Sequence, residues 1–431
     1  MSITEAFSSL CESLLLDYQE EMETSVKEIA KKLNKQYYDL DGDSESHMYI
    51  VGSVGRNTAI KNASDLDLVF DLPQETFKKY DDYESNGQSK LLQDVKAVLE
   101  ERYPNTKLKG DGQVVVIEFN AYTVELVPGF MQADERFKCP NTHDGGSWYF
   151  SDPISEQKEC EKSNKNSKGT FYDFCHIIRC MRNNMGFSMG GLLIDTLIYN
   201  HFKDNDYYGD SDYDDYLDIF ISVLEYLKKQ DKDQQYWLAV GSKQQVINTD
   251  HGAWIAKVKK AYKDIDAAGS DEQKQKEVLN SLLGKDFPKP ESSCKRDNTF
   301  SSSREQFIEN MVPVDIVYSL RIECKVTQDG WRPTLLRELL RKKQLLKHNK
   351  KLDFFIENTN CPKPYEICWK VRNVGEEAIR RNCIRGEIKK TNNIHQIEHT
   401  CFYGPHYVEC YLIKNGICVA RDKIDVPIDW Y

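Results

Sequence analysis

The apolar residues of this chain recur at a helical period in several segments of its first 290 residues. In residues 3–38 apolar side chains return every three or four positions, as at Phe7, Leu10 and Leu33, which predicts one long amphipathic helix. The same period predicts further helices at 91–99, within 171–201 (interrupted by a connector at 186–191), 216–229, 254–265 and 271–283. The N-terminal part of the chain is therefore expected to be rich in helix.

Runs of β-branched and apolar residues form a second pattern. Residues 65–70, 113–119 and 122–127 are predicted strands; the last two are expected to be antiparallel, and Pro128-Gly129 is expected to end the second. The C-terminal part is dominated by such runs, with strands predicted at 314–326, 352–357, 365–371, 384–388, 397–402, 407–413 and 417–424. One helix is predicted among them at 333–348, and Asn415-Gly416 is a strong hairpin-turn signal.

A polar stretch separates the two patterns. Residues 284–304 combine Pro, Ser and mixed charge with few apolar side chains, which is typical of a linker. We therefore predict a large domain at 1–290, a linker at 291–310 and a smaller β-rich domain at 311–431.

One loop and the strand after it carry the clearest chemistry. Gly52 has no Cβ and lets a ligand approach the backbone, and Ser53 adds a hydroxyl and an amide suited to phosphate. After eleven intervening residues come Asp65 and Asp67, which lie two apart in a strand, so both side chains project from one face. Adjacent carboxylates repel unless a cation lies between them, and hard oxygen ligands beside a phosphate-binding turn indicate Mg²⁺. This predicts a two-metal site for phosphoryl or nucleotidyl transfer, with a solvated surface strand as the alternative.

Gly-Ser, eleven residues and Asp-Leu-Asp together resemble the signature of the DNA polymerase β-like nucleotidyltransferases. The flanking residues 51–60 and 64–69 resemble the branch that holds oligoadenylate synthases, cyclic GMP–AMP synthases and the bacterial cyclic-oligonucleotide synthases of anti-phage signalling. The resemblance implies an α+β fold, in which a polymerase β-like core of mixed sheet and helical lobe is followed here by a smaller β-rich C-terminal domain.

The resemblance also implies a third acidic residue on a neighbouring strand. Glu125, followed by Leu-Val-Pro-Gly-Phe, fits the family pattern, although the family more often has Asp there. Glu118, one predicted strand earlier, is the alternative. Asp65, Asp67 and Glu125 are thus expected to hold two Mg²⁺ ions, with Mn²⁺ as a substitute.

A helix near the middle of the chain extends the resemblance. Residues 177–182 are similar to a family helix whose last cation contacts the donor triphosphate; Arg182 takes that place, and Arg179 lies one turn earlier on the same face. An exposed cation on a helix is the alternative for Arg182. Asp195, in the next helix, is either a buried structural acid or a functional one.

The C-terminal part resembles a second known module. Residues 365–375 and 406–421 look like the sensor domain appended to bacterial adenylyl/guanylyl cyclases and cyclic-oligonucleotide synthases. The resemblance covers roughly residues 311–431 and implies that this domain binds a ligand of its own.

The whole resemblance implies an enzyme that joins nucleoside triphosphates, ATP or GTP or both, into a cyclic di- or oligonucleotide and releases pyrophosphate. A downstream effector would respond to the product. Two other classes stay open: a nucleotidyltransferase that modifies tRNA or protein, and a nucleotide-binding module with a decayed site. The intact pair of Asp65 and Asp67 argues against decay.

Composition narrows the partners and the compartment. The formal net charge of −11 argues against long nucleic acid as the main partner, because such binding depends on neutralising phosphates. The 13 cysteines contain no Cys-x-x-Cys pair, which favours reduced thiols in the cytoplasm. The sequence contains no run of about 18 apolar residues, so no membrane span is predicted. Cys139, His143 and Cys160 leave a zinc site as a minor alternative.

Overall fold

A computed structural model describes residues 1–17, 19–119, 121–288, 305–327, 332–347, 350–373, 376–380, 385–400 and 403–428. Contacts divide the chain into two compact units, Met1–Arg179 with Gly191–His251 and Cys180–Gly190 with Gly252–Tyr431. The linker at 291–310 falls mostly outside the described residues, and the domain boundaries at 290 and 311 stay predictions.

Helices frame a sheet in the first unit. Its elements are α1 (Ile3–Ser13), α2 (Gln19–Tyr38), β1 (Met48–Ile50), α3 (Gly52–Gly55), β2 (Asp65–Asp71), α4 (Gln74–Asp81), α5 (Gly87–Arg102), β3 (Lys107–Asp111), β4 (Val114–Glu118), β5 (Thr123–Met131), β6 (Phe137–Asn141), β7 (Ser147–Ser151), α6 (Pro153–Asn166), α7 (Thr170–Met185), α8 (Gly191–Lys203), α9 (Tyr216–Lys228), β8 (Tyr236–Leu238) and β9 (Gln245–Ile247). Helix α7 begins in this unit and ends in the second. Among the described residues, no helix combines the length and the apolar character that crossing a membrane requires.

The prediction of one helix over 3–38 is wrong, because α1 ends at Ser13 and α2 begins at Gln19. Leu14 caps α1 by donating its N–H to the carbonyl groups of Leu10 and Cys11. The Leu14 carbonyl then accepts the Lys61 N–H at 3.0 Å, and Asp17 accepts the Asn62 N–H at 2.7 Å. These contacts with a distant turn compete with helical continuation and are not visible in the local period.

The main sheet of the first unit has the strand order β1-β2-β5-β4-β3, with β6 beside β5 and β7 beside β6. Strands β2 and β5 run parallel, and the other pairs in this sheet are antiparallel. One face of the sheet packs on α2 and α5 through fully buried side chains, among them Leu66, Leu68, Val124, Leu126, Ile29, Leu33, Leu91 and Leu99. Because side chains alternate along a strand, the residues between these leucines and valines project from the opposite face.

Pro128-Gly129 does not end the strand as predicted, since β5 continues to Met131. Pro128 and Gly129 are aligned with Phe70 and Asp71 of β2. The Gly129 carbonyl accepts the Leu72 N–H at 2.8 Å, so the proline removes one donor without ending the pairing.

The second unit contains α10 (Ala253–Ala268) and α11 (Glu272–Leu283), followed by a β-rich part. Its elements are β10 (Leu320–Thr327), β11 (Thr334–Leu335), α12 (Leu336–Arg341), β12 (Lys351–Thr359), β13 (Glu366–Arg372), α13 (Glu376–Arg380), β14 (Ile388–Lys390), β15 (His395–His399), β16 (Gly404–Lys414) and β17 (Ile417–Ile428). They form two antiparallel sheets, β11-β10-β12-β15 and β14-β13-β16-β17, whose buried side chains share one core. Asn415 and Gly416 have φ of +52° and +81° and form the predicted turn between β16 and β17.

Three predictions in the second unit are corrected. The strand predicted at 314–326 begins only at Leu320, although Val314 makes an isolated bridge to Cys418. The helix predicted at 333–348 shrinks to α12, because β11 pairs with β10 and the Leu346 N–H bonds to the Pro427 carbonyl. Near the strand predicted at 384–388, the structure has the three-residue strand β14, which begins at Ile388. Residues 381–384, 401 and 402 lie outside the described part of the chain.

Candidate active site

The parallel register of β2 and β5 brings the predicted acidic residues to one face. Asp67 is aligned with Glu125, and Asp65 is aligned with Thr123. Residues aligned across neighbouring strands project to the same side of a sheet, so Asp65, Asp67 and Glu125 share the face opposite the buried core. The Ser64 hydroxyl donates to Asp65 Oδ2 at 3.0 Å and steadies the first carboxylate.

Glu125 and Glu118 differ sharply in their surroundings. Burial raises the pKa of Glu125, and the charge of Asp67 raises it further. Glu118, on β4, forms ion pairs with Lys107 at 2.8 Å and Lys109 at 2.5 Å. Glu118 is therefore neutralised by two lysines of the neighbouring strand β3, whereas Glu125 faces the carboxylate of Asp67.

The Gly52-Ser53 turn lies directly against this pair of strands. The Val51 N–H donates to the Asp67 carbonyl at 2.9 Å. Gly52 has φ of +63°, and a Cβ built on it would lie only 1.8 Å from Asp67 Oδ2. Glycine is thus required at this position both for the backbone conformation and for the close approach to the carboxylate.

Asp65, Asp67 and Glu125 offer carboxylate oxygens on one face, which are the ligands that hard divalent cations prefer. Burial and the charge of Asp67 raise the pKa of Glu125, and a bound cation would relieve that repulsion. Within the described residues, however, no three His, Cys, Asp or Glu side chains already stand close enough to hold one ion. Asp65, Asp67 and Glu125 would have to converge on a bound metal. The zinc alternative gains no support, since Cys139 and Cys160 are buried and burial raises the pKa of both thiols.

Both arginines predicted to contact the triphosphate are engaged by acidic residues. Arg179, 3% exposed, donates Nη1 to Asp195 Oδ1 at 2.7 Å and Nη2 to Asp195 Oδ2 at 3.0 Å. Arg182, 5% exposed, belongs to the second unit, where its Nη2 lies 2.7 Å from Asp315 Oδ1. Their contact with a triphosphate stays a prediction, and it requires each guanidinium to leave an existing partner.

Sequence reasoning did not single out the residues just behind the turn. Arg56 and Thr58 are buried and reach Asp195, and His176 Nε2 lies 3.1 Å from the Asn57 carbonyl. The available signal was a run of polar residues, Arg-Asn-Thr, next to the motif, together with the acid at position 195 inside an apolar helix.

Comparison with known families agrees with this geometry. The profile of the Second Messenger Oligonucleotide or Dinucleotide Synthetase domain matches residues 1–164, and that of the Adenylyl/Guanylyl and SMODS C-terminal sensor domain matches residues 302–429. This chain belongs to the cyclic-oligonucleotide synthase family of nucleotidyltransferases. In the synthase, the first profile covers the Gly52-Ser53 turn and all three carboxylates. The second covers the predicted sensor domain, and modification of tRNA or protein is not favoured.

Solved structures of similar fold include CdnC from E. coli MS115-1 with ATP, at 16% identity and a TM-score of 0.50, covering 67% of this chain and 99% of that one. A CdnE c-di-GMP synthase from Capnocytophaga granulosa has 16% identity and a TM-score of 0.45, covering 63% and 84%. Bradyrhizobium diazoefficiens CdnG with GTP has 11% identity and a TM-score of 0.45, covering 65% and 94%. The likeness to CdnC confirms the predicted polymerase β-like fold. No curated protein matched the chain significantly.

Proposed function

We propose that the synthase uses ATP, GTP or both, joins them through Mg²⁺-dependent nucleotidyl transfer at the β2–β5 face, and serves anti-phage signalling in the bacterial cytoplasm. The observation that carries the proposal is the register that aligns Asp67 with Glu125 beneath the Gly52-Ser53 turn. ATP and GTP are chosen because they are bound in the structures of CdnC and CdnG.

In each transfer, a ribose hydroxyl of the acceptor attacks the α-phosphorus of the donor. A new P–O bond forms, the bond to the leaving pyrophosphate breaks, and the hydroxyl proton is removed. A second transfer within the linear product closes the ring. When bound by Asp65, Asp67 and Glu125, two Mg²⁺ ions (or Mn²⁺ as substitute) supply activation of the hydroxyl and neutralisation of the leaving group.

The remaining tasks fall to protein groups. The Ser53 hydroxyl and amide bind the triphosphate, and Gly52 admits it close to the backbone. Glu125 is also a candidate acceptor for the hydroxyl proton, and burial and the charge of Asp67 raise its pKa. The C-terminal domain would bind a separate ligand, and an effector protein would respond to the cyclic product.

Incubation with labelled ATP and GTP in the presence of Mg²⁺, followed by phosphatase, tests the proposal. A small phosphatase-resistant product that disappears in Asp67→Asn supports it. Label found only on added tRNA or protein would point to the other transferase class, and Asp67→Asn protein with full activity would place the chemistry elsewhere. Asp67→Asn replaces one carboxylate oxygen with an amide nitrogen, which removes the charge and keeps the side-chain size.

A further inference from the structure

A buried cluster of four charged side chains lies behind the Gly52-Ser53 turn. At its centre is Asp195 of α8, whose exposure is 0%. Asp195 Oδ1 accepts from Arg179 Nη1 at 2.7 Å, and Oδ2 accepts from Arg56 Nε at 2.9 Å, from Arg179 Nη2 at 3.0 Å and from the Thr58 hydroxyl at 2.9 Å. Glu156 completes the cluster by accepting from Arg56 Nη1 at 3.0 Å.

The cluster pairs equal numbers of cationic and acidic side chains, and its two acids differ, because burial raises the pKa of Glu156. Two arginines face two carboxylates. Burial would raise the pKa of Asp195, but the charges of Arg179 and Arg56 and their hydrogen bonds lower it to about 2. Asp195 therefore stays ionised throughout the physiological range. A buried ionic group of this kind is weak evidence for stability, since apolar side chains of similar volume often serve as well.

The cluster instead fixes one local geometry, because two of its hydrogen-bond donors, Arg56 and Thr58, lie just after the turn and are bonded to its backbone. Arg56 follows α3 directly, and its N–H donates to the Gly52 carbonyl at 3.1 Å. The Thr58 N–H donates to the Ser53 carbonyl at 2.9 Å, while its hydroxyl reaches Asp195. One carboxylate thus holds the chain immediately after Ser53 at two points.

We infer that Asp195 is a positioning residue for nucleotide binding: through Arg56 and Thr58 it holds the Gly52-Ser53 turn in the conformation that receives the triphosphate. This inference rests on the proposed function. Arg179 then acts by orienting Asp195, to which it donates two hydrogen bonds, and by donating Nη2 to the Thr58 hydroxyl at 3.1 Å.

Thr58→Val is the sharpest test, because it removes the hydroxyl link and keeps all four charges. The matched control is Thr196→Val, one residue beyond Asp195. The Thr196 hydroxyl is equally buried, and it accepts the Val240 N–H at 3.2 Å, outside the turn. The serine variant at position 58 keeps the hydroxyl and serves as the rescue.

Binding of non-hydrolysable ATP and GTP analogues with Mg²⁺ is measured by calorimetry, and thermal unfolding is recorded in parallel. We expect Thr58→Val to weaken binding about tenfold, as for the loss of one hydrogen bond to a charged group. Thr58→Ser should restore wild-type binding. Thr196→Val should lower the melting temperature by about as much as Thr58→Val does, but it should leave binding of both analogues unchanged. In steady-state assays, KM should rise in Thr58→Val more than kcat falls.

Two outcomes overturn different claims. Wild-type binding by Thr58→Val, or equal weakening in Thr196→Val, would overturn the positioning role while the proposed function stands. If the wild-type protein binds neither analogue, the proposed function itself fails.

Discussion

Replacing Gly52 with alanine tests whether the turn and Asp67 act together in catalysis. The added Cβ would lie 1.8 Å from Asp67 Oδ2, whereas real Cβ atoms essentially never approach a neighbour within 3.0 Å. The two groups must therefore separate by about 1.2 Å, the difference between these distances. Strand β2 is paired on both sides, by β1 and β5, so the movement falls on the Asp67 side chain and on the turn.

The substitution has two costs that can be separated. Gly52 has φ of +63°, and an alanine in the left-handed region loses about 1–2 kcal/mol of stability. A displacement of about 1 Å at a reacting group can lower the rate by about 100-fold. We therefore expect Gly52→Ala to lose about 100-fold or more in kcat, with only a modest loss of folding free energy.

The assay follows formation of phosphatase-resistant product under single-turnover conditions, with thermal unfolding alongside. Gly42→Ala is the matched control, because Gly42 also has positive φ, +83°, but an added Cβ there meets nothing within 4 Å. Gly42→Ala should lose similar stability and keep its activity. Wild-type turnover by Gly52→Ala would refute the close approach of the turn to Asp67 in the reacting enzyme.

Two further predictions concern charge. Glu125→Gln should abolish product. Because the pKa of Glu125 is raised in the native state, the wild-type protein loses stability as the pH rises from the ordinary carboxyl value of 4.5 through that raised pKa. In EDTA near pH 8 the variant should therefore melt at a higher temperature than wild type, and below pH 4.5 the two should melt at the same temperature. Glu118→Gln, at a carboxylate neutralised by lysines, should show no such gain, and a gain in both variants would contradict the pKa argument. Asp315→Asn weakens the charged partner of buried Arg182 and should lower the free energy of unfolding in urea by about 2 kcal/mol. Asp425→Asn, whose side chain is 65% exposed, should change it by less than about 0.5 kcal/mol, and equal effects would count against the Arg182 pair.

Elements defined by neighbouring residues were predictable from the chain. Strand β2 shows its alternation in Asp65-Leu66-Asp67-Leu68, where leucines are buried and aspartates are not. The turn at Asn415-Gly416 needs two residues that tolerate positive φ, and the sequence supplies both. Such features depend on local sterics and local burial, which a short window of sequence contains.

Features that depend on distant partners were not predictable. The break after α1 follows from contacts with Lys61 and Asn62. The engagement of Arg179 follows from Asp195, 16 positions away, and Arg56 meets the same carboxylate across 139 positions. A helical period shows that a cation lies on one face of a helix, but it does not show which acid that face meets.

Asp195 and the partly buried Glu125 are distinguished by the direction in which their pKa values move. The pKa of Asp195 is lowered to about 2 because two guanidinium groups outweigh the effect of burial. The pKa of Glu125 is raised because burial and Asp67 act in the same direction. An acid whose charge is already balanced can hold a turn in place, whereas an acid whose charge is penalised gains most when a cation arrives. This difference supports the two proposed roles, Asp195 as a positioning residue and Glu125 at the metal-dependent step, although both are acidic residues among apolar neighbours in the sequence.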